Sequence, residues 1–134
     1  VAIVDGSNVV YSQQPWKLST LIEVKDKLSE KYDKVDIICD ASLRHQFVQG
    51  SQDREEYEKL LREGDFQQSP AGREADFFIL KWVNNYIKRN KQPCIISNDL
   101  FRDYHEEFVW LKSREYQKNF MLQDFGDEVE LVLT

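Results

Sequence analysis

The chain has 134 residues, which fits one domain spanning residues 1–134 with room for a substantial hydrophobic core. Its composition, 41% hydrophobic and 31% charged, excludes a disordered tail, and no apolar run is long enough for a membrane span, so no membrane partner is expected. The formal net charge of −6 argues against a broadly basic surface for polyanions, but it is compatible with acids that hold divalent metal ions facing a phosphate-bearing substrate.

The cysteines indicate the compartment. Cys39 and Cys94 each lie in an apolar run, which favours buried free thiols over a disulfide. No basic-then-apolar leader precedes Val1. We therefore expect a protein of a reducing compartment, the cytoplasm.

The chain begins with the apolar run Val1 to Val4, which leads directly into Asp5 and Gly6. A short, mostly β-branched run bounded by a turn signal predicts a strand buried on both faces, the central strand of a parallel sheet. Gly6 is expected to let the backbone turn sharply after this strand. Residues 9–17 are predicted to form a loop.

The rest of the chain alternates between helical and strand-like patterns. Thr20 and Glu23 have the spacing of a capping box, and Asp53 is placed to cap a second helix. Predicted helices cover residues 20–32, 54–63 and 72–90, and a fourth begins at residue 99 and continues to about 118. Predicted strands cover residues 35–39, 66–69, 93–97, 120–122 and 129–133. The alternation predicts a three-layer α/β/α sandwich of Rossmannoid type, with a mainly parallel sheet and an antiparallel edge at the C-terminus.

Three of the four predicted parallel strands are followed by an acid: Asp5, Asp40 and Asp99. Because the carboxyl ends of parallel strands share one edge of a sheet, these acids should lie close together wherever their strands are neighbours. Two carboxylates a few Å apart repel each other by about 1 to 4 kcal/mol, and a hard divalent cation with oxygen ligands relieves that repulsion. The pattern therefore predicts a metal site at this edge.

Two further acids are predicted to face the same edge. Asp76 lies in the first turn of the predicted 72–90 helix, where the helix dipole favours an anion, and it shares a face with Leu80 and Val83. Asp103 follows Asp99 by four residues and lies on the same side if that turn is helical.

Structural roles for these acids stay open on the residues alone. Asp5 and Asp99 also suit a turn or a helix cap, and Asp76 suits an ordinary first helical turn. Asp103 also suits a surface position, and Asp40 an ordinary loop.

Other chemistry-bearing side chains are interpreted as structural. His45 and His105 lack the spacing of metal ligands. Phe78, Trp82 and Tyr86 follow the pattern of a buried helix face instead of a base-stacking platform.

Two motifs, Asp5-Gly6-Ser7-Asn8 and Ser97-Asn98-Asp99 with Asp103 four residues on, resemble those of the PIN-like nucleases. Within that superfamily the chain is most similar to the NYN branch and its Regnase-type ribonuclease domains. The resemblance extends over nearly the whole chain, and the two motifs together are more specific than either one alone. It implies a PIN-like fold and a ribonuclease.

The resemblance also implies roles for individual residues. Asp5, Asp76 and Asp99 would ligate Mg²⁺ or Mn²⁺, and Asp103 would act directly or through water. Asn8 would position a water or the substrate phosphate. The remaining polar residues of the two motifs, Ser7, Ser97 and Asn98, are candidate substrate-binding residues.

One departure from the family pattern concerns the acids of the middle helix. Regnase-type domains begin that helix with two adjacent acids, whereas this chain has Ala75 at the first of the two positions. Glu74, immediately before it, is a candidate substitute. The role of Asp40 follows from the strand pattern alone and not from the resemblance.

The sequence hypothesis is a metal-dependent ribonuclease that hydrolyses phosphodiester bonds of single-stranded RNA endonucleolytically. Arg44, Arg73 and Arg102 flank the predicted edge and are candidates to hold backbone phosphates, although each also suits an ordinary surface position. A homodimer and a fused partner domain are both compatible with the sequence.

Two other classes of function remain open. An inactive or weakly active PIN-like domain would bind RNA or a protein partner without cutting. A phosphotransfer domain with an aspartyl nucleophile would also have acids at strand ends, but it requires a Ser or Thr and a Lys at later strand ends, and no such pair is evident in the sequence.

Overall fold

The computed structural model describes residues 1–13, 16–70 and 75–134. Its elements follow in the order β1 (Ala2–Asp5), α1 (Gly6–Tyr11), α2 (Leu18–Ser29), β2 (Val35–Cys39), α3 (Gln52–Arg62), β3 (Phe66–Gln68), α4 (Ala75–Lys88), β4 (Cys94–Ile96), β5 (Gln117–Lys118), β6 (Phe120–Asp124) and β7 (Val129–Leu133). Short 3-10 turns cover Leu43–Gln46, Arg102–Tyr104 and Val109–Ser113.

Five strands form a parallel sheet in the order β3-β2-β1-β4-β5. β1 lies at its centre, with Ala2 opposite Val35 of β2 on one side and Cys94 of β4 on the other. The apolar residues of β1 are fully buried, as expected for a strand covered on both faces. The predicted central position of β1 is therefore confirmed.

Helices cover both faces of this sheet. Successive residues of each strand point to opposite faces, so both faces carry apolar side chains that must be buried. One face, which includes Val4 and Ile37, packs against α1, α2, α3 and the β6-β7 hairpin. The other face, which includes Ile3 and Ile38, packs against α4 and the chain that follows β4. The predicted three-layer α/β/α sandwich with a mainly parallel sheet is confirmed.

Helix α4 is fastened to the sheet at the end away from the predicted site. Trp82 Nε1 and Tyr86 Oη donate hydrogen bonds of 2.9 and 2.6 Å to the same carboxylate oxygen of Asp36, a buried acid of β2. Phe78 packs partly buried against the same core cluster. The interpretation of these aromatic residues as core residues is confirmed for Tyr86, whereas Phe78 and Trp82 are partly buried at the margin of the core.

Several local predictions are wrong. A loop was predicted for residues 9–17, but residues 9–11 belong to helix α1. Val9 and Val10 are fully buried in the core, which favours the helix. The helix predicted at residue 20 begins at Leu18, so Thr20 is buried within α2 and caps nothing. The next helix, α3, is capped by Ser51 instead of Asp53.

The C-terminal third differs most from the prediction. The helix predicted for residues 99–118 is replaced by two short 3-10 turns and irregular chain, because Phe101 and Arg114 adopt left-handed backbone conformations that interrupt a helix. The last two strands form a separate antiparallel sheet, β6-β7, instead of an edge of the main sheet. The main sheet ends at β5, which pairs parallel to β4.

Gly6 is needed for close packing and not for an unusual turn. A Cβ atom at this position would lie 2.8 Å from Cys39 Sγ and 3.0 Å from the carbonyl oxygen of Ile38. Its φ angle lies outside the left-handed region. The glycine therefore lets α1 begin directly against β2.

Both thiols are free, as predicted, with Cys39 buried and Cys94 partly buried. Burial raises the pKa of Cys39 to about 12. None of the helices that the structure describes is long and apolar enough to cross a bilayer.

Candidate functional site

The carboxyl ends of β1 and β4 form the centre of the candidate site. These strands are neighbours, so Asp5, the last residue of β1, lies beside Ser97, which directly follows β4. The Ser97 hydroxyl donates a 3.0 Å hydrogen bond to Asp5 Oδ2. Two parts of the chain 92 residues apart are thereby joined at the edge of the sheet.

Asp5 is a buried carboxylate surrounded by negative charge. Only 5% of its surface is exposed, and its other oxygen accepts a 3.3 Å bond from the backbone N–H of Asn8. Burial raises its pKa to about 6; the two hydrogen bonds oppose this effect, and the carboxylates of Asp99 and Asp40 add to it. A nearby cation would relieve this unfavourable charge.

Ser97 also connects Asp5 to Asp99. Its hydroxyl oxygen accepts a 3.1 Å bond from the backbone N–H of Asp99 while its hydrogen is directed at Asp5. Asp99 Oδ1 in turn accepts a 2.8 Å bond from the backbone N–H of Phe101, whose left-handed conformation (φ 51°) turns the chain. The sequence predicted Ser97 as a substrate ligand; in the structure it is fully buried and bridges two acids.

The two asparagines lie beside this bridge. Asn8 Oδ1 accepts a 3.0 Å bond from the backbone N–H of Asn98. The side-chain amide of Asn98 donates to the carbonyl of Phe120 and accepts from its N–H, at 3.0 and 2.9 Å. Asn98 therefore anchors β6 to the loop after β4, and its contact with substrate stays a prediction, as does that of Asn8.

Asp76, Asp99 and Asp103 line one cleft of about 430 Å³. Asp76 is partly buried in the first turn of α4, as predicted, whereas Asp103 is exposed in the 3-10 turn Arg102–Tyr104. Arg102, a predicted phosphate ligand, lines the same cleft. Of the four acids that the resemblance assigns to the site, the structure thus brings three to one cleft, and Ser97 links the fourth, Asp5, to Asp99.

The loop after Asp99 is held in place by a residue that the sequence did not indicate. Gln117 Nε2 donates hydrogen bonds to the carbonyls of Ser97 and Asp99, at 3.2 and 2.6 Å. The parallel pairing of β5 with β4 places this glutamine beside the loop, and no motif in the sequence distinguishes it.

The other half of the rim, after β2 and β3, is arranged differently. Asp40 Oδ1 accepts a 2.8 Å bond from the backbone N–H of Ser42, which closes a local turn. The Ser7 hydroxyl accepts a 3.0 Å bond from the N–H of Asp40, and the Ser69 hydroxyl a 3.3 Å bond from that of Ala41. Ser7, predicted to bind substrate, therefore supports this loop.

Arg44 follows Asp40 on this side of the rim and pairs with an acid of its own. Its guanidinium lies 3.6 Å from Glu58, which also binds Arg54 at 2.9 Å. Its Nε is buried and has no hydrogen-bond partner among the described residues. The predicted residues Arg73 and Glu74 lie outside the described part of the chain.

The donor chemistry suits a hard cation held partly through water. Within the described ranges, no three side chains of the types His, Cys, Asp and Glu are grouped closely enough to enclose a metal ion. Mg²⁺ keeps several waters and needs only one or two carboxylates together with substrate phosphate, so Asp76, Asp99 and Asp103 around one cleft fit it. His105, predicted not to be a ligand, bonds through its Nε2 to the carbonyl of Leu100 at 2.9 Å.

Comparison with known proteins identifies related domains. The model of a family described as "Zc3h12a-like Ribonuclease NYN domain" matches residues 1–129. Two solved structures of nuclear protein-only RNase P 2 (PRORP2) from Arabidopsis thaliana are similar in fold, each with a TM-score of 0.68, at 22% and 23% sequence identity. They align with 97% and 98% of this chain but with only 29% of theirs. No curated protein sequence matches the chain significantly.

Proposed function

Because the chain belongs to the Zc3h12a-like ribonuclease NYN domain family, we propose that it is a Mg²⁺- or Mn²⁺-dependent ribonuclease that cleaves single-stranded RNA internally. Family membership supports RNA cleavage. The metal, the single-stranded substrate and the endonucleolytic mode are our inferences from the site. The chain spans less than a third of the PRORP2 structures that share its fold, so RNase P activity is not part of the proposal.

One observation carries this proposal: the hydrogen-bonded series Asp5–Ser97–Asp99 ends at a cleft that Asp76 and Asp103 line together with Asp99. A fold gains no stability from several acids around one cleft, because their charges repel. The same acids suit a hydrolase for phosphodiesters, which needs oxygen ligands for a cation beside the reacting phosphate.

In the proposed site, Asp76 and Asp99 would hold the metal ion, with Asp103 binding directly or through water. Asp5, joined to Asp99 through Ser97, would add negative charge. When bound, the ion would lower the pKa of a coordinated water and neutralise phosphate charge. Ser97 binds the carboxylate of Asp5 and the backbone of Asp99, so its role is to hold these two acids beside each other.

Substrate contacts are proposed for Asn8 and Arg102. Arg102 lines the cleft with its side chain exposed, so its guanidinium can grip a backbone phosphate by two parallel hydrogen bonds. Asn8 lies beside the acids and would orient a water or the phosphate. Arg102 and Asp103 are exposed, so this wall of the cleft is accessible from solvent, which supports binding of an internal segment of RNA.

The test is cleavage of a circular single-stranded RNA, because only an endonuclease can open a circle. We expect linear products with Mg²⁺ or Mn²⁺, none with EDTA, and none with the Asp99→Asn variant at unchanged melting temperature. Exclusive degradation of linear RNA would contradict the endonucleolytic mode, and full activity of Asp99→Asn would contradict the site.

A binding module without activity is the second candidate. It is favoured by Ala75, which opens α4 where the resembled ribonucleases carry an acid, and by the absence of an enclosed metal-binding group within the described ranges. This function predicts RNA binding that Mn²⁺ does not convert into cleavage, and equal RNA affinity of the wild type and Asp99→Asn.

The phosphotransfer class has more structural support than the sequence suggested. Ser97 directly follows β4 and Lys118 ends β5, so the strand ends do carry a Ser and Lys pair. The Ser97 hydroxyl, however, is already engaged with Asp5 and with the backbone of Asp99. Mass measurement after incubation with acetyl phosphate would reveal an aspartyl phosphate, which our proposal does not expect.

A further inference from the structure

A second, smaller cavity of about 140 Å³ lies next to the acidic cleft. The two share Leu100 and Arg102 in their walls, so they are immediate neighbours on the protein surface. The smaller cavity contains no carboxylate among its described lining residues, whereas three acids line the cleft.

The lining of the small cavity is basic. Arg102, His105, Lys112 and Arg114 converge on it from the chain between β4 and β5. This concentration of positive charge contrasts with the formal net charge of −6 for the whole chain. We call this set of four residues, together with Gln117, the basic pocket.

The polar groups of the basic pocket have two different tasks. His105 and Gln117 bond to backbone carbonyls of residues 97–100 and so fix the wall between cavity and cleft. Arg102, Lys112 and Arg114 form no ion pair with any residue that the structure describes; Arg114 donates one bond, 3.0 Å long, to the Asn119 amide. Three cations therefore face one small cavity without a counter-ion from the described chain.

We propose that the basic pocket binds a backbone phosphate of RNA adjacent to the phosphate that is cleaved. This rests on the proposed function and adds a substrate subsite to it. A phosphodiester supplies the negative charge that the three cations lack, and guanidinium and ammonium groups are its usual protein partners. The shared wall favours RNA over an isolated acidic peptide, because a polynucleotide in the cleft places its next phosphate near this wall.

The subsite has a consequence for substrate choice. A strand needs at least one further nucleotide on the side of the basic pocket to reach it, so substrates that end at the scissile phosphate on that side should bind more weakly. Since the contact is with the backbone, it adds affinity without base preference.

Kinetics of the Lys112→Gln/Arg114→Gln variant test the proposal. We expect KM for a single-stranded oligonucleotide to rise about tenfold, kcat to stay within about twofold, and the dependence of affinity on salt to become shallower. Gln at position 114 meets the same left-handed backbone as Arg, so an unchanged melting temperature is expected. Lys112→Arg, which keeps the charge, should retain the wild-type KM.

Lys88→Gln/Lys91→Gln is the matched control, because these exposed lysines lie at and just after the last residue of α4, away from the cleft, and their loss also removes two positive charges. An unchanged KM for Lys112→Gln/Arg114→Gln, or an equal rise for the control variant, would overturn the subsite. Failure of Lys112→Arg to retain the wild-type KM would do the same.

Failure of the subsite and failure of the proposed function are distinguishable. If the wild type cleaves RNA and the double variant has the wild-type KM, only the subsite is wrong. If the wild type cleaves no RNA with Mg²⁺ or Mn²⁺, the proposed function is wrong. The RNA affinity of the basic pocket is then measured separately, by fluorescence anisotropy of a labelled oligonucleotide. Equal RNA affinity with and without Lys112→Gln/Arg114→Gln would then reject the subsite.

Discussion

The two halves of the sheet edge carry similar residues but use them differently. After β1 and β4, a serine hydroxyl binds one acid and the backbone of another, and a cleft with two more acids lies beside them. After β2 and β3, serine hydroxyls accept backbone N–H groups, and the carboxylate of Asp40 closes a local turn. In the first half the polar side chains hold carboxylates in position, and in the second they hold the backbone of a loop.

This difference indicates which acids at strand ends are candidate catalytic residues. Asp40 and Asp99 both follow buried strands, and the strand pattern of the sequence does not distinguish them. Asp99 is placed by a buried hydroxyl that also binds Asp5, so its position depends on a second acid. Asp40 is placed by its own loop, and its charge raises the pKa of Asp5.

The largest effect that tests this comparison is the loss of activity on Asp99→Asn. We expect cleavage to fall on the order of a thousandfold, because an amide cannot supply the anionic ligand that the metal requires. Measured kcat/KM with saturating Mn²⁺ gives the effect, and circular dichroism checks the fold. Residual activity above a tenth of the wild type would exclude Asp99 as a metal ligand.

The second prediction concerns stability and the burial of Asp5. An acid whose pKa is raised from 3.8 to about 6 binds more protons in the folded state, so the free energy of unfolding falls as pH rises through this window. The ionised form above pH 6 costs the fold about 3 kcal/mol. Asp5→Asn should therefore be more stable than the wild type at pH 7 by about 1 to 3 kcal/mol, with a smaller difference at pH 4.

Urea unfolding in the presence of EDTA at the two pH values measures this difference. Asp and Asn expose nearly the same surface on unfolding, so the slope of the unfolding free energy against urea concentration is not expected to change. A less stable Asp5→Asn at pH 7 would mean that the bonds from Ser97 and Asn8 outweigh the burial of charge.

The overall fold could be predicted because its signals are local. The apolar run before Asp5 and the alternating strand and helix patterns identify a parallel sheet, and parallel strands place their carboxyl ends together. This rule places Asp99 at the edge of the sheet, while Asp76 reaches the same cleft from the first turn of α4 and Asp103 from a 3-10 turn.

The parts that failed depend on long-range packing. The predicted 99–118 helix was wrong because the left-handed residues Phe101 and Arg114 have no glycine signal in the sequence. The bridging role of Ser97 and the bonds from Gln117 arise only when β1, β4 and β5 are paired in register. These contacts join residues far apart in the chain, and no periodicity reports them.

A third, intermediate effect is expected at Asp103. This acid lines the cleft from an exposed turn, so water can replace part of its interaction with a metal ion. We expect Asp103→Asn to lower kcat/KM about tenfold and to raise the Mn²⁺ concentration needed for half-maximal activity. A loss as large as that of Asp99→Asn would place Asp103 in direct contact with the metal.

The smallest effect is expected at Asp40, and it is the sharpest test of the comparison. An amide oxygen can accept the Ser42 N–H bond as the carboxylate does, so Asp40→Asn should keep the free energy of unfolding within about 0.5 kcal/mol and cleavage within about twofold. Asp40→Ala, which loses that bond, should cost about 1 kcal/mol of stability while activity stays near the wild type. The fold accepts either an amide or a carboxylate at this position, so only the charge distinguishes the two side chains. If Asp40→Asn instead lost activity on the scale of Asp99→Asn, the charge of Asp40 would be required for cleavage, and both halves of the rim would belong to the site.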